Sequence, residues 1–91
     1  MSRNALEVRY VFSERTWEDY LYWQCTDRAM LQRVNRIIEA IAREPYAGVG
    51  KPKALRHALA GWWSRRIDHE HRLVYRVEGA DLFILQLRLH Y

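Results

Sequence analysis

The chain has little cysteine, proline or glycine, and no long hydrophobic run. Cys25 is the single cysteine among 91 residues. One thiol cannot close an internal disulfide, and it lacks the partner cysteines of a zinc site. No apolar stretch approaches the ~20 residues that a membrane-spanning helix needs. The first residues, Met1-Ser2-Arg3-Asn4-Ala5-Leu6-Glu7, lack the apolar core of a secretory signal. A cytoplasmic setting is expected, with no membrane partner. The sequence holds two prolines and four glycines. No repeat, low-complexity segment or linker divides it, so residues 1–91 are expected to form one domain.

What the sequence does have is apolar and basic. Hydrophobic residues make up 49% and aromatics 13%, which suits a packed globule and argues against disorder. The formal net charge is +4, and it is unevenly spread. Arginines and carboxylates balance over residues 1–44. The remainder carries Lys51, Lys53, Arg56, Arg65, Arg66, Arg72, Arg76 and Arg88 against Asp68, Glu70, Glu78 and Asp81. Such a local excess suits a phosphate-binding surface or an interface for an acidic protein.

Val8-Arg9-Tyr10-Val11-Phe12 reads as a short strand. Ser13 is a plausible N-cap, with Glu14 in the first helical turn. Trp17, Tyr20 and Leu21 follow at helical spacing, and Trp17 and Tyr20 are expected in the core. Thr26 or Asp27 caps a second helix, whose Met30, Leu31, Val34, Ile37, Ile38 and Ile41 fall on one stripe. Pro45 ends it. Residues 45–52 hold both prolines and two glycines, which predicts a loop. Within it Tyr46 is a weak candidate for base stacking. Trp62 to Ile67, Arg72 to Val77 and Leu82 to Leu89 then predict an antiparallel meander with short connections.

Alternation gives each strand two faces. Leu73, Tyr75 and Val77 share one, and Phe83, Leu85, Leu87 and Leu89 are expected to share it with them, against the helices. That leaves Arg72, Arg76, Arg88 and His90 together on the other face. Arg65 and Arg66 point to opposite sides. Parity with Ser64 assigns Arg66 to the basic face and leaves Arg65 to pair with Asp68, Glu70 or a helix carboxylate. His57, His69 and His71 lack partners at metal-ligand spacing, so no metal is expected.

Cleaving RNA by internal attack needs a base for the 2′-hydroxyl, cations for the phosphorane and an acid for the departing oxygen. Imidazole suits proton transfer near neutrality, and the arginine fork suits phosphate. Arg72 and His90 can supply the last two.

Trp17-Glu18-Asp19-Tyr20-Leu21-Tyr22-Trp23-Gln24, Gly50-Lys51-Pro52, Trp63-Ser64-Arg65-Arg66-Ile67, Glu70-His71-Arg72-Leu73-Val74-Tyr75 and the closing His90-Tyr91 resemble the YoeB toxin family of the RelE/ParE superfamily. The resemblance runs from position 9 to the C-terminus. It implies an α+β, RelE-like microbial ribonuclease fold, with two N-terminal helices packed on one face of an antiparallel sheet. It further implies the toxin of a type II toxin–antitoxin system. That toxin is a metal-independent endoribonuclease without a cofactor, which cuts mRNA in the ribosomal A site and is silenced by a YefM-like antitoxin. A homodimer is compatible with it. By the same resemblance Arg72 stabilises the phosphate, His90 is the general acid and Tyr91 orients the substrate. Lys51, Arg56, Arg66 and Arg88 are expected to contact RNA.

One position departs from the pattern. After Gly-Lys-Pro the family usually carries a glutamate as base, and here stands Lys53. An ordinary lysine, with a pKa of about 10.4, is protonated and accepts nothing. Lys53 as perturbed base or as electrostatic stabiliser, Glu70 or His57 as base, a non-cleaving toxin that occupies the ribosome, and a DNA-acting or regulatory protein of this fold all stay open at this point.

Overall fold

The computed structural model describes residues 7–89. Its elements are β1 (Arg9–Phe12), α1 (Glu14–Thr26), α2 (Arg28–Arg43), β2 (Lys53–Ala54), β3 (Trp63–Arg66), β4 (Arg72–Glu78) and β5 (Asp81–Gln86). A 3₁₀ turn lies at His57–Leu59. The strands form one sheet in the order β1-β5-β4-β3-β2. From β2 to β5 it is the expected antiparallel meander. β1, however, joins β5 in parallel, so the five-stranded sheet is mixed. A parallel neighbour needs a long connection, and the helix pair lies within it. At the junction Arg9 forms a fork on Asp81, with Nε–Oδ1 2.7 Å and Nη2–Oδ2 3.2 Å.

Both helices start at side-chain caps. Ser13 Oγ accepts the Thr16 N–H at 3.2 Å, and Asp27 Oδ1 accepts that of Met30 at 3.1 Å. Asp27 also closes α1 by donating its own N–H to the Trp23 carbonyl. The apolar stripe of α2 (Met30, Val34, Ile37, Ile38, Ile41) is buried as its period predicts. In α1 the buried line instead runs through Thr16, Tyr20 and Trp23. Trp17 is not core. It is 49% exposed and stacks on Tyr20 with centroids 5.7 Å apart.

The last strand also departs from simple alternation. Val74 pairs with Gln86 and Tyr75 with Ile84, so Leu85 is an extra residue opposite β4. This bulge reverses the parity of everything beyond it. Leu82 and Ile84, rather than Phe83 and Leu85, face the helices, and Leu87 rejoins them in the core. Leu85 is left exposed.

The 44–50 segment is held by a buried cation. Arg65 is fully buried. Its Nε donates to the Tyr75 hydroxyl at 3.2 Å, Nη1 to the Val49 carbonyl at 3.1 Å, and Nη2 to the Ala47 carbonyl at 2.9 Å and to that of Glu44. Backbone carbonyls, not the carboxylates expected from the sequence, therefore satisfy this guanidinium. Tyr75 completes the lock by donating to the Pro45 carbonyl at 2.6 Å. Burial pushes the Tyr75 phenol up from its ordinary value despite the opposing pull of Arg65, so it remains a donor. Gly50 closes the segment. Its φ is +85°, a Cβ there would lie 3.0 Å from the Arg66 carbonyl oxygen, and its own carbonyl accepts the Arg66 N–H at 2.7 Å.

Arg65→Met should destabilise the fold by about 3 kcal/mol or more, because it strands several buried acceptors. Arg66→Met, one residue on and exposed, should change stability by no more than about 0.5 kcal/mol. Urea unfolding of the two variants checks the contrast, and equal losses would contradict the lock described above.

Candidate active site

The helices cover one side of the sheet, and the other carries the basic residues. Residues directly opposite in neighbouring strands share a face. Lys53 lies opposite Ser64, Ser64 opposite Val74, and Val74 opposite Gln86. Arg66 lies opposite Arg72 on that same face. Lys53, Ser64, Arg66, Arg72 and Gln86 are therefore grouped by register alone.

Arg72 is oriented by a neighbour. Its Nη2 donates to Ser64 Oγ at 3.0 Å and its Nε does so at 3.3 Å. Ser64 is fully buried, so this hydroxyl is a fixed anchor for the guanidinium. The Arg72 backbone N–H reaches the Leu89 carbonyl at 3.1 Å. In the sequence His90 and Tyr91 come next, but both lie outside the described residues.

Lys51 and Lys53 flank Pro52 as the chain enters β2. Lys51 has a left-handed φ of 53° and follows Gly50, whose carbonyl is tied to Arg66. Lys53 and Arg56 line a cleft of about 600 Å³ with Leu55, His57 and Leu59. Among the described residues, none of the ion pairs involves Lys51, Lys53, Arg56 or Arg66. Their fields therefore add over this face. Of the alternative bases, His57 borders the same cleft as Lys53. Glu70 sits instead on the β3–β4 connection, with Oε1 3.4 Å from His71 Nε2.

Arg88 lies elsewhere. Past the bulge its guanidinium sits 3.8 Å over the Tyr22 ring, with Nη1 3.8 Å from Asp19 Oδ1. It thus leans on α1 and does not join Arg72 as alternation predicts. Arg76 shares the Arg72 face, but its Nη2 is held at 2.6 Å by Glu78 Oε1. Tyr46 packs against Trp63 with centroids 4.9 Å apart. Among the described residues no cluster of three potential metal ligands occurs.

Sequence reasoning overlooked three side chains. Ser64 was detectable only as a small hydroxyl with the parity of Arg66. His71 and Gln86 both bond Leu89, at 2.7 and 2.6 Å, and no periodicity foretells such contacts across the fold.

The architecture of two helices on a mixed five-stranded sheet with a basic open face is that of RelE-like toxins. YafQ of Escherichia coli shares this fold, with a TM-score of 0.69 at 15% identity. A model describing the "YoeB-like toxin of bacterial type II toxin-antitoxin system" matches residues 12–91. Toxin YoeB of Synechocystis is 49% identical over 84 residues, covering 92% of this chain and 98% of that protein. Toxin RelK of Mycobacterium tuberculosis is 48% identical over 80 residues, covering 88% and 94%. The YoeB/ParE toxin from Agrobacterium tumefaciens superposes with a TM-score of 0.90 at 44% identity, covering 92% of this chain and all of that one. The chain belongs to the YoeB-like family of type II toxin–antitoxin toxins.

The turn that leads into Arg72 is held by Asp68, whose Oδ1 accepts the N–H groups of Glu70 at 2.8 Å and His71 at 2.7 Å. Burial works to raise the Asp68 pKa. The backbone N–H groups of Glu70 and His71 lead the opposing pull, and the carboxyl falls below its ordinary 3.8. Ionised Asp68 therefore favours the folded state, fully so above the ordinary value and progressively less as the pH falls through and below it. The stability gap between wild type and Asp68→Asn should hold steady from about pH 8 to about pH 5 and close below 3.8. Urea midpoints across that range test this. A gap that persists into strong acid would count against it.

Proposed function

We propose that this toxin is a metal-independent endoribonuclease that cuts mRNA in the ribosomal A site and so arrests translation in the cytoplasm. The observation that carries the reading is the seating of Arg72. Its guanidinium is aimed by buried Ser64, and its backbone holds the residue that precedes His90. A fixed guanidinium among further cations on one face suits charge that develops on a phosphorane.

In this reading the 2′-hydroxyl gives its proton to solvent water and attacks the adjacent phosphorus, and the bond to the 5′-oxygen breaks. The products are a cyclic phosphate and a 5′-hydroxyl. Arg72 steadies the phosphorane, and His90 gives its proton to the departing oxygen. Tyr91 orients the substrate. Lys53, opposite Ser64 in the sheet, supplies positive charge. Lys51, Arg56 and Arg66 guide the RNA backbone. Arg88 serves the site only from its periphery beside α1.

Two solved structures support the partners. A YoeB-YefM complex from Staphylococcus aureus is heterotetrameric, and its YoeB matches this chain with a TM-score of 0.86. A YoeB dimer from the same organism matches with 0.87. A YefM-like antitoxin is the expected inhibitor here, and a homodimer the expected free state. Among the described residues no helix is long and apolar enough to cross a membrane.

Primer extension on translating ribosomes tests the assignment. Cuts within the A-site codon should fall about 100-fold or more in His90→Ala and in Arg72→Ala. Lys53→Glu should keep or raise cleavage by restoring a proton acceptor. Cleavage abolished by Lys53→Glu but retained by Lys53→Arg would assign position 53 to charge stabilisation alone. Stalled ribosomes carrying intact message would instead identify a toxin that blocks by occupancy.

A further inference from the structure

His71 is 8% exposed, and its ring meets that of Trp23 edge-on at 4.8 Å. A buried imidazole could serve packing alone, but its hydrogen bond argues for more. Nδ1 accepts the backbone N–H of Leu89 at 2.7 Å. A ring nitrogen accepts only when it carries no proton, so the ring is neutral and its N–H lies on Nε2, toward Glu70.

Leu89 is held on every polar atom it has. Its carbonyl takes the Arg72 N–H at 3.1 Å and Gln86 Nε2–H at 2.6 Å. Its φ of 65° is left-handed, a conformation that a leucine keeps only where its surroundings impose it. Two residues earlier, the Leu87 carbonyl accepts the Trp23 indole N–H at 3.0 Å. Four bonds thus fix the path of the chain where it leaves β5: three come from residues remote in sequence, and the fourth from Gln86, three positions before Leu89.

We propose that His71 is a positioning residue for cleavage: its neutral imidazole locks Leu89 beside Arg72 and so sets where the chain delivers its last two residues, His90 and Tyr91. This inference rests on the nuclease reading. A phenylalanine would fill the space against Trp23 equally well, and it lacks an acceptor. An asparagine loses the ring but can present an amide oxygen near the Nδ1 position. The two substitutions therefore separate packing from hydrogen bonding.

Cleavage by the ribosome-bound toxin is measured as kcat and KM for wild type, His71→Phe and His71→Asn, with thermal melts confirming folding. His71→Phe should lower kcat about 100-fold with KM nearly unchanged, the size of effect that a small misplacement of a reacting group produces. His71→Asn should stay within about tenfold of wild type on the same reasoning. Added to His90→Ala, His71→Phe should cost little more, because the two act through one step. Leu89 amide exchange should be slow in wild type and His71→Asn and fast in His71→Phe. If His71→Phe misfolds, Gln86→Leu removes the other side-chain bond to Leu89 and should lower kcat in the same sense.

A folded His71→Phe with wild-type kcat would overturn the proposal, as would His71→Asn impaired as severely as His71→Phe. Unchanged Leu89 protection in His71→Phe would refute the lock itself. A wild-type protein that cuts nothing yet shows the exchange contrast would refute the nuclease reading and the catalytic half of the proposal, leaving the lock established.

Discussion

The position of the basic face traces back to one cation that cannot leave the core. Arg65 has no exposed surface, and it meets carbonyls from Glu44, Ala47 and Val49 together with the Tyr75 phenol. An unsolvated guanidinium is costly unless its donors are matched. Those carbonyls are therefore held in place although they belong to a loop rich in proline and glycine. The loop ends at Gly50, pinned to the Arg66 N–H, and delivers Lys51 and then Lys53 to the edge of the sheet. A buried charge thus determines where the solvent-facing charges stand.

The same economy appears in the strands. Arg65 and Arg66 are adjacent, yet alternation sends one into the core and the other to the open face. Ser64, with the parity of Arg66, is buried and holds Arg72 through two donors. Arg72 and Ser64 sit on paired strands rather than on loops, so their geometry is set by the ladder. The site gains order from the sheet, and among the described residues Lys51, Lys53, Arg56 and Arg66 enter none of the ion pairs.

Where local chemistry decides the outcome, the sequence was a good guide. The caps at Ser13 and Asp27, the α2 stripe and the meander from Trp63 to Gln86 all follow from residue type and period. Where a distant contact decides, it was not. The parallel pairing of β1 with β5 depends on how the chain returns after two helices. The Leu85 bulge leaves an ordinary alternation in the sequence, LFILQLRL, and still changes which leucines are buried, and the strand ends at Gln86, so alternation no longer governs Arg88. Trp17 reads as core by spacing, but the buried line of α1 lies one residue round from it. Arg65 offered no sign that carbonyls would replace carboxylates. Grouping of Arg72 with Arg66 was readable from strand parity, whereas Lys53 entered through the family resemblance, because the two residues of β2 show no period to read. The contacts of Ser64 and His71 were not readable, since each joins residues brought together by the finished fold, and the local bond of Gln86 to Leu89 depends on the left-handed turn at Leu89.

Lys53 alters the balance of forces at this face rather than its position. A carboxylate there would repel the phosphate it serves, and its value would lie in accepting a proton, a contribution of about 100- to 10,000-fold in rate. A lysine reverses both effects. It attracts the phosphate in the ground state and in the transition state alike, and it offers no base while protonated. Attraction felt equally in both states lowers KM without raising kcat, and only the extra charge of the phosphorane gives a differential gain. With Arg72 already aimed by Ser64 and Arg66 opposite it, that gain is shared among cations that act on one phosphate. On the proposed nuclease reading, the electrostatics of this face therefore favour tight holding of RNA and a slow chemical step, with proton removal as the part of the reaction least provided for.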